Sequence, residues 1–510
     1  AKGRVSDTGL RKAFGSLIPN SVTGGADWSA KALVANGQTE ASIKSNLIGI
    51  NSNLPFPLGK TSGEAMQLVI EKKQITPTQD LVKLNLGDAI NGRIVRISQN
   101  GITKIDKGDI AINAPAEIGN NKGITLHGNL DAIDVDDWID QLDKNTSTTA
   151  QSGISINHVD LTANHLDMFD RRINSAKIIA KPADRAWLIN LKSDEITGDI
   201  KWNPEGNGKV TANLSSLIFP EATPDAVKKD TNNAPIQLKV KYPALDIVAD
   251  NFEINKKKMG RLELQAKEQL GNWGIDKLRL INPDGVLSAN GEWNNWKRKP
   301  NTLVRFNWEI SDMGKALKRF NYGELAKGGT AEISGQLRWA GSPHEFDIPN
   351  LAGNIHLDAK KGQILKAEPG VARLFGVLSL QNLPRRLTLD FKDLFSSGFA
   401  FDKISADVNI NKGIMYSDNF KMEGPAAKVE IKGDTDLDKE TLHLHVRATP
   451  FISDTVSLAA LAGGPAVGAA AYIAQKILKD PLNKIAETEY EIVGTWTCLL
   501  YTSDAADDTP

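Results

Sequence analysis

The stretch ISADVNINKG, residues 404–413, holds the pattern that decides the fold class. Apolar residues occupy every second position from Ile404 to Ile410, and polar residues fill the positions between them. Side chains of a β-strand point alternately to its two faces, so this order predicts one buried and one solvated face, as in antiparallel sheets. The Asn411-Lys412-Gly413 sequence that ends the run predicts a tight turn.

Three further runs show the same alternation, at residues 386–391, 428–432 and 442–446. Their apolar positions are Leu387, Leu389, Phe391, Val429, Ile431, Leu442, Leu444 and Val446. His443 and His445 share the polar face of the last run, where two imidazoles could hold a metal ion. We favour an ordinary solvent-facing position for both and predict no metal site.

Turn signals recur at short intervals through the rest of the chain. Frequent turns between short alternating runs predict a β-meander, a sandwich or an open solenoid, and no fixed-period repeat stands out. Polar, turn-rich stretches at 144–153 and 220–235 are predicted loops. The turn dipeptides are Asn91-Gly92, Asn100-Gly101, Lys107-Gly108, Asn207-Gly208, Asp284-Gly285 and Asn290-Gly291.

An apolar stretch near the C-terminus, within residues 451–482, predicts helices. Pro465 follows two glycines inside it and would break a single long helix, so two short helices are the better interpretation. The second helix would either dock on a membrane or cap the end of a sheet. Its apolar side chains include Val467, Ile473, Ile477 and Leu478.

Two other segments predict short helices. The first, DVDDWIDQLD at 134–143, places acidic residues at a helix start, where they complement the helix dipole. It lacks the glycine and the terminal glutamate of a calcium-binding EF-hand loop. The second spans 369–380.

Composition excludes several classes of protein. The net charge is −1, with 61 basic and 62 acidic residues, so no basic excess favours nucleic-acid binding. Cys498 is the single cysteine among 510 residues, which leaves no disulfide framework.

The chain contains only incomplete versions of catalytic motifs. Gly59-Lys60-Thr61 resembles the end of a phosphate-binding loop, but Leu54 replaces its first glycine. His344-Glu345 begins like a zinc-protease motif, but Ile348 stands where the second histidine belongs. We therefore predict no enzyme and no cofactor.

A long C-terminal region closely resembles a known family. The run GVARLFGVLSLQNLPRRLTLDFKDLFSSGFAFDKISADVNINKGIMYSDNF at 370–420, then GPAAKVEIKGDTDL and YEIVGTW, resembles the C-terminal region of the YhdP family of AsmA-like proteins. Looser resemblances extend it over most of residues 1–497. Members are envelope proteins of Gram-negative bacteria that are anchored in the inner membrane and cross the periplasm. They are linked to phospholipid movement toward the outer membrane along an apolar groove.

The resemblance implies a mainly β fold: an elongated, strongly curved antiparallel sheet that forms an apolar groove, with a few short helices. It also implies which residues line the lipid path, although alternation alone fits the core of a closed sandwich equally well. The implied lining residues are Leu387, Leu389, Phe391, Ile404, Val408, Ile410, Val429, Ile431, Leu442, Leu444 and Val446.

The same comparison divides the chain. The expected parts are an N-terminal groove part (1–153), a middle part (154–340), a C-terminal AsmA-like part (341–450), the apolar helices (451–482) and a terminal strand (483–497). Residues 498–510 resemble translated adapter sequence and are set aside. The chain begins at Ala1 without an apolar span, so we expect a fragment that lacks the family's inner-membrane anchor.

Three functions remain as hypotheses. The first is phospholipid conduction between the inner and outer membranes, with phospholipid and the outer membrane or its proteins as partners. The second is an envelope scaffold that conducts no lipid. The third, a carbohydrate-active β protein, rests only on tryptophans such as Trp293, Trp296, Trp308 and Trp339, and requires exposed aromatic platforms.

Overall fold

Strands dominate the computed structural model of this chain. Within the described residues, three helical segments accompany the strands. The structure describes residues 1–14, 18–35, 38–138, 141, 155–168, 171–219, 242–269, 272–294, 300–343, 346–365, 398–451, 488–496 and 498–503. The chain divides into two units, residues 1–235 with 247–256 and residues 236–246 with 257–510.

Unit 1 is built from strands that pair with their neighbours along the chain. Pairing is antiparallel except at β9, which runs parallel to both β8 and β10. Strand β4 pairs with β2. Its helices are α1 (Asp7–Phe14) and the helical residues 135–138, α2. The strands are β1 (Lys2–Ser6), β2 (Val22–Ala35), β3 (Gln38–Ser45), β4 (Ile50–Ser52), β5 (Leu68–Thr76), β6 (Gln79–Leu86), β7 (Ile90–Gln99), β8 (Ile102–Ile112), β9 (Gly123–Asp134), β10 (Ile156–Met168), β11 (Arg171–Ala183), β12 (Ala186–Lys192), β13 (Ile196–Asn203) and β14 (Lys209–Phe219).

Helix α2 begins where the acidic run predicts a helix. The backbone N–H of Asp137 donates to the Asp134 carboxylate at 2.9 Å, so Asp134 satisfies one of the N–H groups left free at a helix start. Strand β15 (Ala244–Ile254) contributes residues to both units.

Unit 2 is an antiparallel meander in which each strand from β16 to β27 pairs with the next. Helix α3 (Met313–Arg319) follows β19, and Asp312 caps it by accepting from the N–H of Lys315. The strands are β16 (Lys257–Gln269), β17 (Asn272–Asn282), β18 (Gly285–Asn294), β19 (Asn301–Ile310), β20 (Ala326–Ala340), β21 (Ala352–Ile364), β22 (Phe399–Asn411), β23 (Ile414–Glu423), β24 (Ala427–Asp436), β25 (Thr441–Pro450), β26 (Thr488–Thr495) and β27 (Cys498–Ser503).

The predicted fold class is confirmed: the chain is mainly β, with open, curved antiparallel sheet and few short helices. Strand β27 pairs with β26 and lies in the segment that the sequence analysis sets aside. The predicted loops at 144–153 and 220–235, the helix at 369–380 and the apolar helices within 451–482 lie outside the described residues, apart from Phe451. No helix in the described part of the chain has the length and apolar character needed to cross a membrane.

The predicted turns divide into two groups. Asn100-Gly101 and Lys412-Gly413 adopt positive φ between paired strands, as tight hairpin turns require. Three other predicted turns are wrong, because Asn91-Gly92, Lys107-Gly108 and Asn290-Gly291 lie inside strands. At Gly108 a Cβ atom would approach Cδ1 of Ile124 to 2.7 Å, so this glycine serves close packing within the sheet.

Candidate functional site

An unbroken apolar row crosses unit 1 from strand to strand. Residues paired across neighbouring strands point to the same face of a sheet, so the register shows directly what each face contains. The row crosses twelve strands, which corresponds to about 50 Å at the usual strand spacing. Its members are Ala30, Ile43, Ile70, Leu84, Gly92, Ile110, Leu126, Val159, Ala180, Ile189, Ile200 and Ala212.

Among its described strands, unit 1 has two crossover connections, and the one between β8 and β9 lies on the opposite, polar face. Parallel strands need a connection that returns along the sheet, and residues 113–122 make this return between β8 and β9. The N–H of Glu117 donates to the Asp109 carboxylate at 2.7 Å, and Nδ2 of Asn91 donates to the Ala114 carbonyl at 2.9 Å. Asp109 and Asn91 belong to the polar side of their strands, so this connection does not cover the apolar row.

A charged cluster stands at one end of the apolar face of unit 1. Asp80 is 8% exposed and accepts two hydrogen bonds from Arg96, at 2.8 and 2.9 Å, while Lys72 lies 3.3 Å away. Burial by itself raises the pKa of Asp80, but the bonds from Arg96 and then Lys72 outweigh it and hold this pKa below its usual value. The carboxylate therefore stays ionised between two cations.

Two further apolar rows cross unit 2. The first runs from β16 to β22 and the second from β19 to β25, both on the same face. The first contains Leu264, Leu278, Ala289, Phe306, Gly335, Ile355 and Val408. The second contains Ile310, Ala331, Ala359, Ile404, Met422, Val429 and Ala448.

The other face of unit 2 carries ion pairs. Lys277 lies 2.8 Å from Glu263, Lys428 lies 3.0 Å from Glu430, and the N–H at Nε of Arg447 donates to Glu489 at 2.7 Å. The hydrogen bond from Lys428 lowers the pKa of Glu430. Exposed pairs contribute little to stability, but they mark this face as the solvated one.

The structure brings the predicted lining residues that it describes onto the apolar face of unit 2. Six of them are buried and two, Val408 and Leu444, are half-buried. Leu387, Leu389 and Phe391 lie outside the described residues, as do all the predicted membrane-docking side chains, Val467, Ile473, Ile477 and Leu478. The buried six are Ile404, Ile410, Val429, Ile431, Leu442 and Val446. Whether any of the eight contacts lipid stays a prediction.

A half-buried stretch of the same face was missed by the sequence analysis; we call it the floor. It extends over six strands, β16 to β21, or about 24 Å at the usual spacing. The sequence signal for it is the same alternation of apolar and polar residues, as in VRFNW at 304–308. The floor consists of Leu264, Leu278, Leu287, Ala289, Val304, Phe306, Trp308, Ile333, Leu337, Ile355 and Leu357.

Packed groups close the floor at both ends of its central strands. At one end, Ala316 of α3 is buried with Ile310 and Ala331, and the ring of Phe320 meets Trp308 edge-on at 5.3 Å. At the other end, Trp339 is buried with Leu351 and Ile410. The floor therefore has walls at both strand ends and an apolar surface between them.

The lysine of the imitated phosphate loop has a structural role. Lys60, the lysine of the imitated phosphate loop, is 7% exposed and donates to the carbonyls of Leu47, Ile50 and Thr61 at 3.0, 2.6 and 2.8 Å. These three bonds use all the protons of the ammonium, so none is left for a phosphate. Burial lowers the pKa of Lys60.

The tryptophans do not support the carbohydrate hypothesis. Trp293 and Trp339 are buried, and Trp308 packs against Phe320, so these three form no exposed platform. Trp296 lies outside the described residues.

The two faces define a class of protein: open antiparallel sheet with one apolar and one charged face. The family model described as YhdP protein matches residues 1–497, and the chain belongs to this family.

One relative is the intermembrane phospholipid transporter YhdP of Escherichia coli (strain K12), to which the chain is 23% identical over 493 residues. The match covers 94% of this chain and 38% of the relative, so the chain spans less than two fifths of that protein's length. No solved structure gives a significant match.

Proposed function

We propose that this chain is the part of a phospholipid-transfer protein that carries acyl chains along its apolar face. The observation that supports this most is the floor, which is apolar, half-buried and bounded at both strand ends. The related transporter is named for movement of phospholipid between membranes. We place this chain, by that relationship, in a periplasmic segment of an inner-membrane-anchored protein of a Gram-negative bacterium, with the outer membrane or its proteins at the far end.

The energetics favour an apolar path. A two-chain phospholipid exposes roughly thirty methylenes to water, at about 0.8 kcal/mol each, which makes a barrier on the order of 20 kcal/mol. A continuous apolar face removes most of this cost without a catalytic group or cofactor, and we assign neither to the chain.

The experiment is lipid extraction and mass spectrometry on protein purified without detergent, with Ile333→Asp compared against Ser334→Asp. These neighbours in β20 point to opposite faces, and Ile333 belongs to the floor. A carboxylate against acyl chains is unfavourable by more than 1.4 kcal/mol, so we expect bound phospholipid to fall at least about tenfold in Ile333→Asp. Ser334→Asp should retain it.

The alternative is an envelope scaffold that conducts no lipid. If the parent protein holds no phospholipid, or if both variants keep it equally while their circular dichroism spectra match the parent, the scaffold function replaces the transfer function. In that case the floor is simply an incompletely covered core.

A further inference from the structure

Three side chains that commonly bind metal ions meet on the charged face of unit 2. His443 and His445 stand two residues apart in β25, and Glu491 of β26 is the cross-strand partner of His445. Nε2 of His443 lies 2.6 Å from Oε1 of Glu491, and Nε2 of His445 lies 4.0 Å from the same oxygen. The potential ligand atoms of all three residues lie within 4.8 Å of one another.

These separations fit a single zinc ion. Zinc binds imidazole nitrogen and carboxylate oxygen at about 2.0 to 2.2 Å, which puts neighbouring ligand atoms roughly 3.3 Å apart in a tetrahedron. The observed 2.6 and 4.0 Å separations bracket that value, so small side-chain rotations bring both nitrogens and the oxygen around one ion. All three side chains are at least partly exposed, so an ion can reach them.

The neighbouring strand β24 adds charge of both signs. Asp434 pairs with His443 and Lys432 pairs with His445. With Glu491, the two carboxylates outnumber the one lysine, and the lysine side chain is long enough to turn away.

His356, in the same unit, contacts carboxylates in a geometry that does not suit one metal ion. His356 also contacts two carboxylates, but Nδ1 faces Asp407 at 2.7 Å while Nε2 faces Asp358 at 3.0 Å. The two nitrogens lie on different sides of the ring, so one ion cannot replace both contacts. At β25 and β26, two imidazoles converge on one carboxylate oxygen.

We propose that His443, His445 and Glu491 form a site for Zn²⁺ or a similar transition-metal ion that joins β25 to β26. Residues 451–487 separate these strands along the chain. An ion bound by both strands holds the two ends of that segment together, and it stabilises the paired state because the ligands converge only there.

The test uses the whole chain with any affinity tag removed, titrated with Zn²⁺ by calorimetry and with Co²⁺ by visible absorption. We expect one ion per chain, tetrahedral Co²⁺ bands, and at least about a tenfold loss of affinity in each of His443→Asn, His445→Asn and Glu491→Gln. His356→Asn is the matched control and should bind like the parent.

Hydrogen exchange on the parent protein tests the proposal even if a variant folds poorly. At a free Zn²⁺ concentration one hundred times Kd, backbone amides of Thr441–Pro450 and Thr488–Thr495 in the parent should gain up to about 100-fold protection from hydrogen exchange. The proposal is overturned if Zn²⁺ does not bind, if Glu491→Gln binds as well as the parent, or if protection in these strands is unchanged by the ion.

Discussion

The apolar face of unit 2 is packed differently in its two halves. Over β22 to β25 most of its residues are as buried as a protein core, with Met422 and Val429 at 0% exposure and Val446 at 2%, although Val408 and Leu444 are half-buried. Over β16 to β21 the floor is half-buried, although the alternation in the sequence is the same and Ile310, Ala331 and Ala359 at its packed end are buried. A strand pattern therefore reports which face is apolar, but it does not report how completely that face is covered.

The difference changes which residues are useful probes of lipid contact. Most of the predicted lining residues belong to the buried half, where substitution acts on folding. The floor is half-buried, so an acyl chain would displace fewer protein atoms to contact it than to contact the buried half. Three experiments test this distinction, and a fourth tests the charged face of the same unit.

The largest effect is expected for Val429→Asp. A carboxylate at a fully buried position, without a partner, should destabilise the protein by about 4 kcal/mol or more. We expect loss of the cooperative unfolding transition followed by circular dichroism in urea. Ile333→Asp in the floor should still fold, and a folded Val429→Asp protein would contradict the distinction between the two halves.

Single cysteines measure the accessibility of the two halves directly. In a Cys498→Ser background, which removes the native thiol, we expect Leu357→Cys in the floor to react with a maleimide about 100-fold faster than Val446→Cys, since a buried thiol reacts only after local opening. Added phospholipid should slow only Leu357→Cys. Equal rates in the two variants would mean that the halves do not differ in solution.

Truncation to alanine compares the packing energies. Met422→Ala should lower the free energy of unfolding by about 3 kcal/mol, because a buried side chain leaves a cavity. Leu337→Ala should lower it by about 1 kcal/mol, because this residue is already partly in water. Urea unfolding measures both, and similar losses would show that the floor is packed as tightly as the buried half.

The smallest effect is expected on the charged face, at His356→Gln. Hydrogen bonds from His356 to Asp407 and then to Asp358 raise the histidine pKa, and His356 lowers the pKa of Asp407. The raised histidine pKa adds stability that is complete below about pH 6.5 and is lost as pH rises through the folded value, while the lowered aspartate pKa adds stability above about pH 4.

The variant should therefore lose only a few tenths of a kcal/mol near pH 5.5, since exposed pairs contribute little. As pH rises through the folded histidine pKa, the positive charge that lowers the Asp407 pKa disappears, so we expect no loss near pH 9. Urea midpoints at the two pH values, with His158→Gln on β10 as the control, measure this. A loss that is larger at pH 9 would contradict the assigned direction.

Much of the fold follows from local sequence, because strand alternation and hairpin turns depend on neighbouring residues. Ile404 to Ile410 predicts both the strand β22 and its apolar face, and Lys412-Gly413 predicts the turn after it. Gly108 was wrongly predicted to turn the chain, since its role depends on Ile124 in a strand that follows later in the chain. A glycine that turns the chain and one that lets strands pack closely look alike in a sequence.

The sites depend more on tertiary contacts and could be predicted only in part. His443 and His445 are visible as a pair in the sequence, but Glu491 joins them only through the register of β25 with β26 across an intervening segment. The floor is visible as alternation, yet its partial exposure depends on where α3 and the residues after Trp339 pack. Neither arrangement is encoded by spacing along the chain.

Pairing between consecutive strands also has a consequence for how the chain acquires its structure. From β16 onward, each new strand needs only the strand made just before it, and most of the intervening connections are short. Such a sheet can grow in the order of synthesis, strand by strand, with little entropy lost in closing long loops. The two long connections, between β21 and β22 and between β25 and β26, are the late steps, where the growing edge must wait for a distant partner.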